Sequence, residues 1–247
     1  MYATLGASPI ERLSLSRYAL GNNGREQSPH HMEFVEIAAG DFAMGWDSGL
    51  PGERPRHRVW VDRFAIATTP VTKQEYAEYV ETARRSPPPF RSDPRFLDPR
   101  QPVVGVSWFD AQAFCRWRGR EYRLPTEAEW EKAARGGLED ARFPWGDERP
   151  AAHPGQPPLV GTTPANPFGL FDLSGSCHEW CLDWDDDGYY ARSPSRNPRG
   201  PDHGARRVSR GGSWRHADPW TPVARRSSLP PALQYSDYGF RLVRVTD

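Results

Sequence analysis

The chain has 247 residues, with 32 basic and 32 acidic side chains, so its formal net charge at pH 7 is zero. A chain without net charge has no overall field that attracts nucleic acid or an anionic membrane, and we expect neither as a partner. The length is enough for one sizeable hydrophobic core and does not require a second domain. Any ligand must therefore be recognised by a local site.

The sequence shows no pattern typical of export, membrane insertion or disulfide bonding. No stretch approaches the roughly 18 apolar residues of a membrane span, and the first residues lack the basic and then apolar pattern of a secretory signal. The three cysteines, Cys115, Cys177 and Cys181, cannot all pair with one another and form no repeated CxxC array. We expect a cytoplasmic protein without a disulfide framework.

Composition changes near residue 32 and predicts one domain after a short arm. Residues 1–31 are polar and lack periodicity, which predicts an irregular N-terminal arm, followed by a single domain over residues 32–247. Apolar and polar residues alternate over 34–44 and 57–66, with Gly and Pro between them, which predicts strands joined by a turn. Residues 207–214 and 239–245 predict further strands.

Three helices are predicted by side-chain oxygens that can cap a first turn, each followed three residues later by an acid. These pairs are Thr72 with Glu75, Ser107 with Asp110, and Thr126 with Glu129. Apolar residues recur at helical spacing after each start, and Gly136 ends the third helix. Between residues 143 and 206 periodic runs are few and Gly, Pro, Asp and Trp are frequent, which predicts ordered loops with sparse regular structure.

Eight sequence blocks, in order, carry a family resemblance. They are residues 42–45 (FAMG), 70–72 (PVT), 102–108 (PVVGVSW), 123–131 (RLPTEAEWE), 144–147 (PWGD), 166–173 (NPFGLFDL), 210–214 (RGGSW) and 239–242 (GFRL). In this order they resemble the formylglycine-generating enzyme family, also called the sulfatase-modifying factor family. The resemblance implies an α+β fold, a loop-rich variant of the C-type lectin fold with few helices and short antiparallel strands.

The same resemblance argues against the reaction that gives the family its name. In active members, two cysteines soon after the RGGS block bind copper as thiolates, and the enzyme oxidises a substrate cysteine. Here residues 214–223 read WRHADPWTPV, and no cysteine follows Cys181. We therefore do not expect this chain to make formylglycine.

A calcium site is also implied by the resemblance. The family pattern GLYxxxGNxWEW appears here as residues 169–180 (GLFDLSGSCHEW). By resemblance, Asp172 and Glu179 would supply carboxylates to calcium, and Gly175 and Cys177 would supply main-chain carbonyls. The alternative is that these acids are solvated or paired with arginines.

One departure from the family pattern indicates a different kind of site. His178 stands where the family has Trp, and Cys177 and Cys181 flank it; in a helix these cysteines would share a face. His178 and His216, with Cys181 as a further ligand, would form a transition-metal or acid/base site if their loops meet as they do in relatives. The alternative is a hydrogen-bonded loop histidine.

Arginine and aromatic side chains gather in the segment that lines the substrate groove in relatives. Such side chains suit a peptide or a small carboxylate, and the candidate ligand-binding residues are Trp214, Arg215, Trp220, Arg225, Arg226, Tyr235 and Tyr238. The alternative is that Arg225 and Arg226 pair with core acids and that the aromatic rings only pack.

Two functions from different classes remain open. In the first, the chain is an oxidoreductase-like relative that acts on a small molecule or peptide through the site of His178 and His216. In the second, it is a non-catalytic module that binds a small molecule, a peptide or a partner protein through the C-terminal loops. A binding protein diversified by retroelements is a special case of the second. The G-x-S-x-G, H-E-x-x-H and Walker motifs of other enzyme classes are missing.

Overall fold

The computed structural model describes residues 32–149, 157–216 and 220–245. The irregular arm predicted for residues 1–31 lies outside these ranges. Within them, no helix is both long and apolar enough to cross a membrane.

Three α-helices begin at the capping residues that the sequence predicts. They are α1 (Lys73–Thr82), α2 (Trp108–Arg118) and α3 (Glu127–Arg135). The N-cap hydroxyls of Thr72, Ser107 and Thr126 each accept a hydrogen bond from the main-chain N–H three residues on, and the acid there bonds back. Gly136 ends α3 in the left-handed conformation, which glycine adopts without strain. The predicted helices are confirmed.

The predicted N-terminal strands are also present. Each of the two predicted stretches, residues 34–44 and 57–66, contains two strands. They are β1 (Phe34–Ile37), β2 (Gly40–Met44), β3 (His57–Val61) and β4 (Phe64–Ala67). β2 and β3 form a two-stranded antiparallel sheet. A four-stranded sheet has the order β1-β4-β10-β5, with β5 at Tyr122–Arg123 and β10 at Val243–Arg244. The C-terminal strand is therefore inserted between early segments, which closes the domain.

The second four-stranded sheet carries the candidate site. Its order is β8-β7-β6-β9, where β6 is His178–Trp184, β7 Arg207–Arg210, β8 Arg226–Leu229 and β9 Tyr238–Gly239. β6 runs antiparallel to β7 and parallel to β9. At seven residues, β6 is the longest strand of the described chain, in a region where the sequence predicts sparse regular structure. That prediction misses it because residues on both faces of β6 are buried, so polar and apolar residues do not alternate.

Buried ion pairs connect α3 to β7. Arg210 and Arg135 both pair with Glu131, and Arg210 also pairs with Glu127. All four side chains are almost completely buried. Few helices, short and mostly antiparallel strands, and long loops agree with the predicted α+β class.

Candidate functional site

His178 and His216 meet at the edge of the second sheet. His178 is the first residue of β6 and lies in register with Tyr238 of β9. The main-chain N–H of Trp214 donates to the carbonyl of Ser176 at 3.1 Å, which holds the loop after β7 beside the start of β6. The Nε2 atoms of the two imidazoles are 3.2 Å apart, and the ring planes are inclined by 66°. The structure therefore brings together the two histidines that the sequence singles out.

The two imidazoles differ in their surroundings. His178 is buried, and its pKa is lowered to about 4 because burial and, to a smaller extent, His216 outweigh the opposing charge of Asp237. His216 lies at the surface, and its partial burial also lowers its pKa. Both rings are therefore neutral at pH 7, and one Nε2–H can be shared between them. The Nδ1 atom of His178 is buried without a hydrogen-bond partner among the described residues.

Asp237 fixes the geometry around the pair. Its main-chain carbonyl accepts from the N–H of His178 at 2.8 Å, and its carboxylate accepts from the hydroxyl of Ser213 at 2.8 Å. Arg215 lies 3.5 Å from the other carboxylate oxygen. Sequence reasoning missed Asp237 and Ser213, although Asp237 stands beside Tyr238 and Ser213 lies in the RGGSW block.

Three of the predicted ligand-binding residues surround the histidines. Tyr238 stacks on the ring of His178, with centroids 4.6 Å apart, and also contacts Trp180. Tyr235 is 44% exposed and its ring lies 6.1 Å from that of Tyr238. Arg215 is exposed. Tyr235 and Arg215 therefore present an aromatic face and a guanidinium to solvent next to the pair.

The two tryptophans of the same prediction are packed inside the protein. Trp214 is buried against Phe96, with ring centroids 6.0 Å apart, and the guanidinium of Arg95 lies over its indole. Trp220 is buried edge-to-face against Trp145. Both indoles are thus packed against other aromatic rings.

Arg226, another predicted ligand-binding residue, pairs with an acid in the interior. Its guanidinium is buried, with Nε 2.7 Å from Oε1 of Glu127, because a buried acid requires a buried counter-charge. Arg225 is 40% exposed, and its Nε lies 3.3 Å from Oε1 of Glu53. Both arginines therefore pair with acids.

Cys181 is not a ligand of the histidine site. The helical interpretation of residues 177–181 is wrong because β6 begins at His178, and side chains three positions apart on a strand point to opposite faces. Cys181 packs in the core cluster that contains Trp130, whereas Cys177 packs with Phe96 and Trp214. Burial raises the pKa of both thiols well above their ordinary value.

The two carboxylates implied as calcium ligands both accept hydrogen bonds from protein donors. Both carboxylate oxygens of Glu179 accept from Arg241, and one also accepts from the indole N–H of Trp130. Asp172 accepts from the N–H of Gly161 at 2.6 Å and from the hydroxyl of Thr163 at 3.0 Å. Both carboxylates of the predicted set are thus occupied by protein donors. The other two predicted ligands are the main-chain carbonyls of Gly175 and Cys177. Among the residues that the structure describes, no group of three or more His, Cys, Asp or Glu could hold a metal.

The fold and the sequence together define the class of protein. Residues 21–246 match the model of the sulfatase-modifying factor enzyme 1-like domain, and the chain belongs to this family, whose fold is a variant of the C-type lectin fold. It is 34% identical over 283 residues to the formylglycine-generating enzyme of Streptomyces coelicolor, covering 86% of this chain and 89% of that enzyme.

Other similarities show that the same domain occurs in differently named proteins. The chain is 35% identical over 236 residues to the serine/threonine-protein kinase pkn1 of Chlamydia pneumoniae; this match covers 86% of the chain but only 38% of the kinase. The solved structure of PvdO from Pseudomonas aeruginosa superposes with a TM-score of 0.76 at 26% identity, covering 86% of this chain and 94% of PvdO. Family membership therefore does not by itself define the activity.

Proposed function

We propose that this family member does not generate formylglycine and instead holds a transition-metal ion between His178 and His216, where it acts on a small molecule or peptide. The observation that carries the proposal is the distance of 3.2 Å between the two Nε2 atoms. Two changes are proposed: the copper-binding thiolates of active family members are absent, and imidazole ligands take their place.

The first part is supported by the position of the cysteines. All three precede the RGGSW block and all three are buried. None lies in the loop that contains His216, so a pair of thiolates cannot form there. A substrate cysteine therefore meets imidazoles at this site rather than sulfur ligands.

The second part is supported by the geometry of the imidazoles. Metal–nitrogen bonds of about 2.0–2.1 Å at tetrahedral angles place two ligand nitrogens about 3.3–3.4 Å apart, close to the observed separation. The nitrogens His178 Nε2 and His216 Nε2 would hold the ion, and solvent or substrate would fill the remaining positions, whereas catalytic zinc sites have three protein ligands and one open position. A bound transition ion would supply Lewis acidity or a redox couple there. Arg215 and Tyr235 would orient a carboxylate or an aromatic group beside it.

A second candidate is a non-catalytic binding module. The same nitrogen distance also fits a hydrogen bond between two neutral imidazoles, which needs no ion. In that case Tyr235 and Arg215 form the rim of a recognition surface, and a small molecule, peptide or partner protein is its ligand.

Elemental analysis by mass spectrometry separates the two candidates. We expect about one transition-metal ion per chain in the wild type after exposure to metal, loss of that ion in His216→Ala, and its retention in His203→Ala. His203 is an exposed histidine outside the site, so its replacement controls for adventitious binding. An ion that stays in His216→Ala, or a wild type that binds none, would favour the binding module.

Loss of the family reaction is tested separately. The wild-type protein, supplied with copper and oxygen, is incubated with a cysteine-containing sulfatase peptide, and the peptide mass is followed. We expect the cysteine to remain unchanged. Conversion to the aldehyde would overturn this part of the proposal whatever the metal content.

A further inference from the structure

An apolar cavity lies beside α1, and neither His178 nor His216 lines it. Its volume is about 330 Å³, and α1 forms one wall while the loop before α2 forms the other. Apolar side chains make most of the lining, among them Tyr76, Ala77, Val80, Phe90, Phe96 and Val104. Pockets for small ligands range from about 300 to 1,000 Å³. This cavity therefore has room for one small ring or branched chain and not for a folded segment.

The loop wall is built to hold its shape. Residues 87–89 are three consecutive prolines, and two of them line the cavity; proline fixes φ and so limits the conformations of this wall. Phe90 packs against the backbone of Gly105, which has a positive φ of 76° and where an added Cβ would lie 2.6 Å from the ring. A preformed wall lowers the entropy cost of binding.

Two cations at the cavity have no counter-ion among the residues that the structure describes. Lys73, in the first turn of α1, and Arg91, in the loop, both line the cavity, and neither forms an ion pair with a described residue. The acid whose charge acts on Lys73 is Asp98, and its carboxylate is already bound by Arg100. Burial lowers the pKa of Lys73. Glu81 adds one negative charge to the lining, so the cations remain in excess.

The positive charge extends beyond the cavity. A neighbouring cleft of about 530 Å³ shares Tyr76, Pro87 and Pro88 with it and is lined by Arg84 and Arg85. Asp110 also lines this cleft, but it is the capping acid of α2 and bonds Ser107. An anionic group therefore meets cations on this side of the molecule.

We propose that the cavity binds a small carboxylate with an aromatic or branched aliphatic body. The apolar walls would bury the body, and Lys73 and Arg91 would bind the carboxylate through charge-assisted hydrogen bonds. Neither His178 nor His216 lines the cavity, although Phe96 of its lining packs on Trp214 of the histidine loop. The inference does not depend on the metal proposal.

Isothermal titration with 3-phenylpropanoate and with its uncharged amide tests the proposal. We expect saturable binding of the acid at millimolar concentration or below and at least about tenfold weaker binding of the amide, since an uncharged amide forms weaker hydrogen bonds with the two cations than a carboxylate does. Equal affinities for acid and amide, or no binding of the acid, would overturn the proposal.

Three variants locate the binding site. Lys73→Gln and Arg91→Gln should each weaken binding of the acid by about tenfold. Ala77→Trp, at an exposed position on α1, should abolish it by filling the cavity. Arg120→Gln removes an exposed cation outside the lining and should leave binding unchanged. An unaltered affinity in Ala77→Trp, with thermal unfolding as in the wild type, would show that the carboxylate binds elsewhere.

Discussion

Glu179 and Arg241 form a bidentate ion pair in the interior of the domain. Nε of Arg241 donates to Oε2 of Glu179 at 2.6 Å, and Nη2 donates to Oε1 at 2.7 Å. Both side chains are completely buried. Arg241 also donates to the carbonyls of Ala67 and Phe171, so one guanidinium connects β4, β6 and the loop before β6. The residue that the family pattern suggests as a calcium ligand thus serves as the anchor of the C-terminal segment.

We expect Arg241→Met to lower the free energy of unfolding by about 3–5 kcal/mol, because it leaves the Glu179 carboxylate buried without a counter-charge. Urea denaturation of the two proteins measures the change. The matched control is Arg100→Ala, which breaks an exposed pair with Asp98 and should cost less than about 1 kcal/mol. Similar losses in both variants would show that burial does not distinguish the two pairs.

Calcium should have no effect on thermal stability. An ion that binds only the native state raises its stability, but the carboxylates of Asp172 and Glu179 are occupied by protein donors. We expect the same Tm in calcium and in chelator, measured by differential scanning calorimetry. A rise in Tm with calcium that Asp172→Asn removes would restore the site that the family resemblance implies.

Local signals account for the features that the sequence predicts correctly. The helix starts at Thr72, Ser107 and Thr126 depend on capping residues adjacent in sequence, and these are confirmed. β6 is missed because a strand buried on both faces has no alternation to detect, and Cys181 is therefore placed with His178 in error. The pairing of Arg226 with Glu127 joins residues 99 positions apart, so only the fold can show it.

The cysteines should be unreactive in the native protein. All three thiols are buried, and burial raises the pKa of Cys115 to about 12. Since the thiolate is the nucleophile, we expect no labelling by iodoacetamide at pH 7.5 in native buffer and labelling of three thiols in denaturant. Mass spectrometry of the intact chain counts the labels. Rapid native labelling of Cys181 would contradict its position in the core.

Asp183 should make stability fall as pH rises. Its pKa is raised to about 8, mainly by burial and also by the charges of Glu127 and Glu129. The hydrogen bond from the N–H of Glu127 and the charge of Arg226 oppose this rise. In the unfolded chain a carboxyl of this kind titrates near its ordinary value of 3.8. The native state therefore keeps a proton that the unfolded state has lost, and its stability decreases from about pH 4 to about pH 8.

We expect Asp183→Asn to remove this part of the pH dependence. The amide oxygen can still accept from the N–H of Glu127, which now bonds Oδ2 of Asp183 at 2.8 Å, and the side chain no longer ionises. Relative to the wild type, the variant should gain stability between pH 5 and pH 8, by an amount on the order of a few kcal/mol at 1.36 kcal/mol per pKa unit. Urea denaturation at both pH values measures the gain, with Asp202→Asn at an exposed position as the control. A constant difference between Asp183→Asn and the wild type at the two pH values would mean that Asp183 is already ionised in the native protein at pH 5.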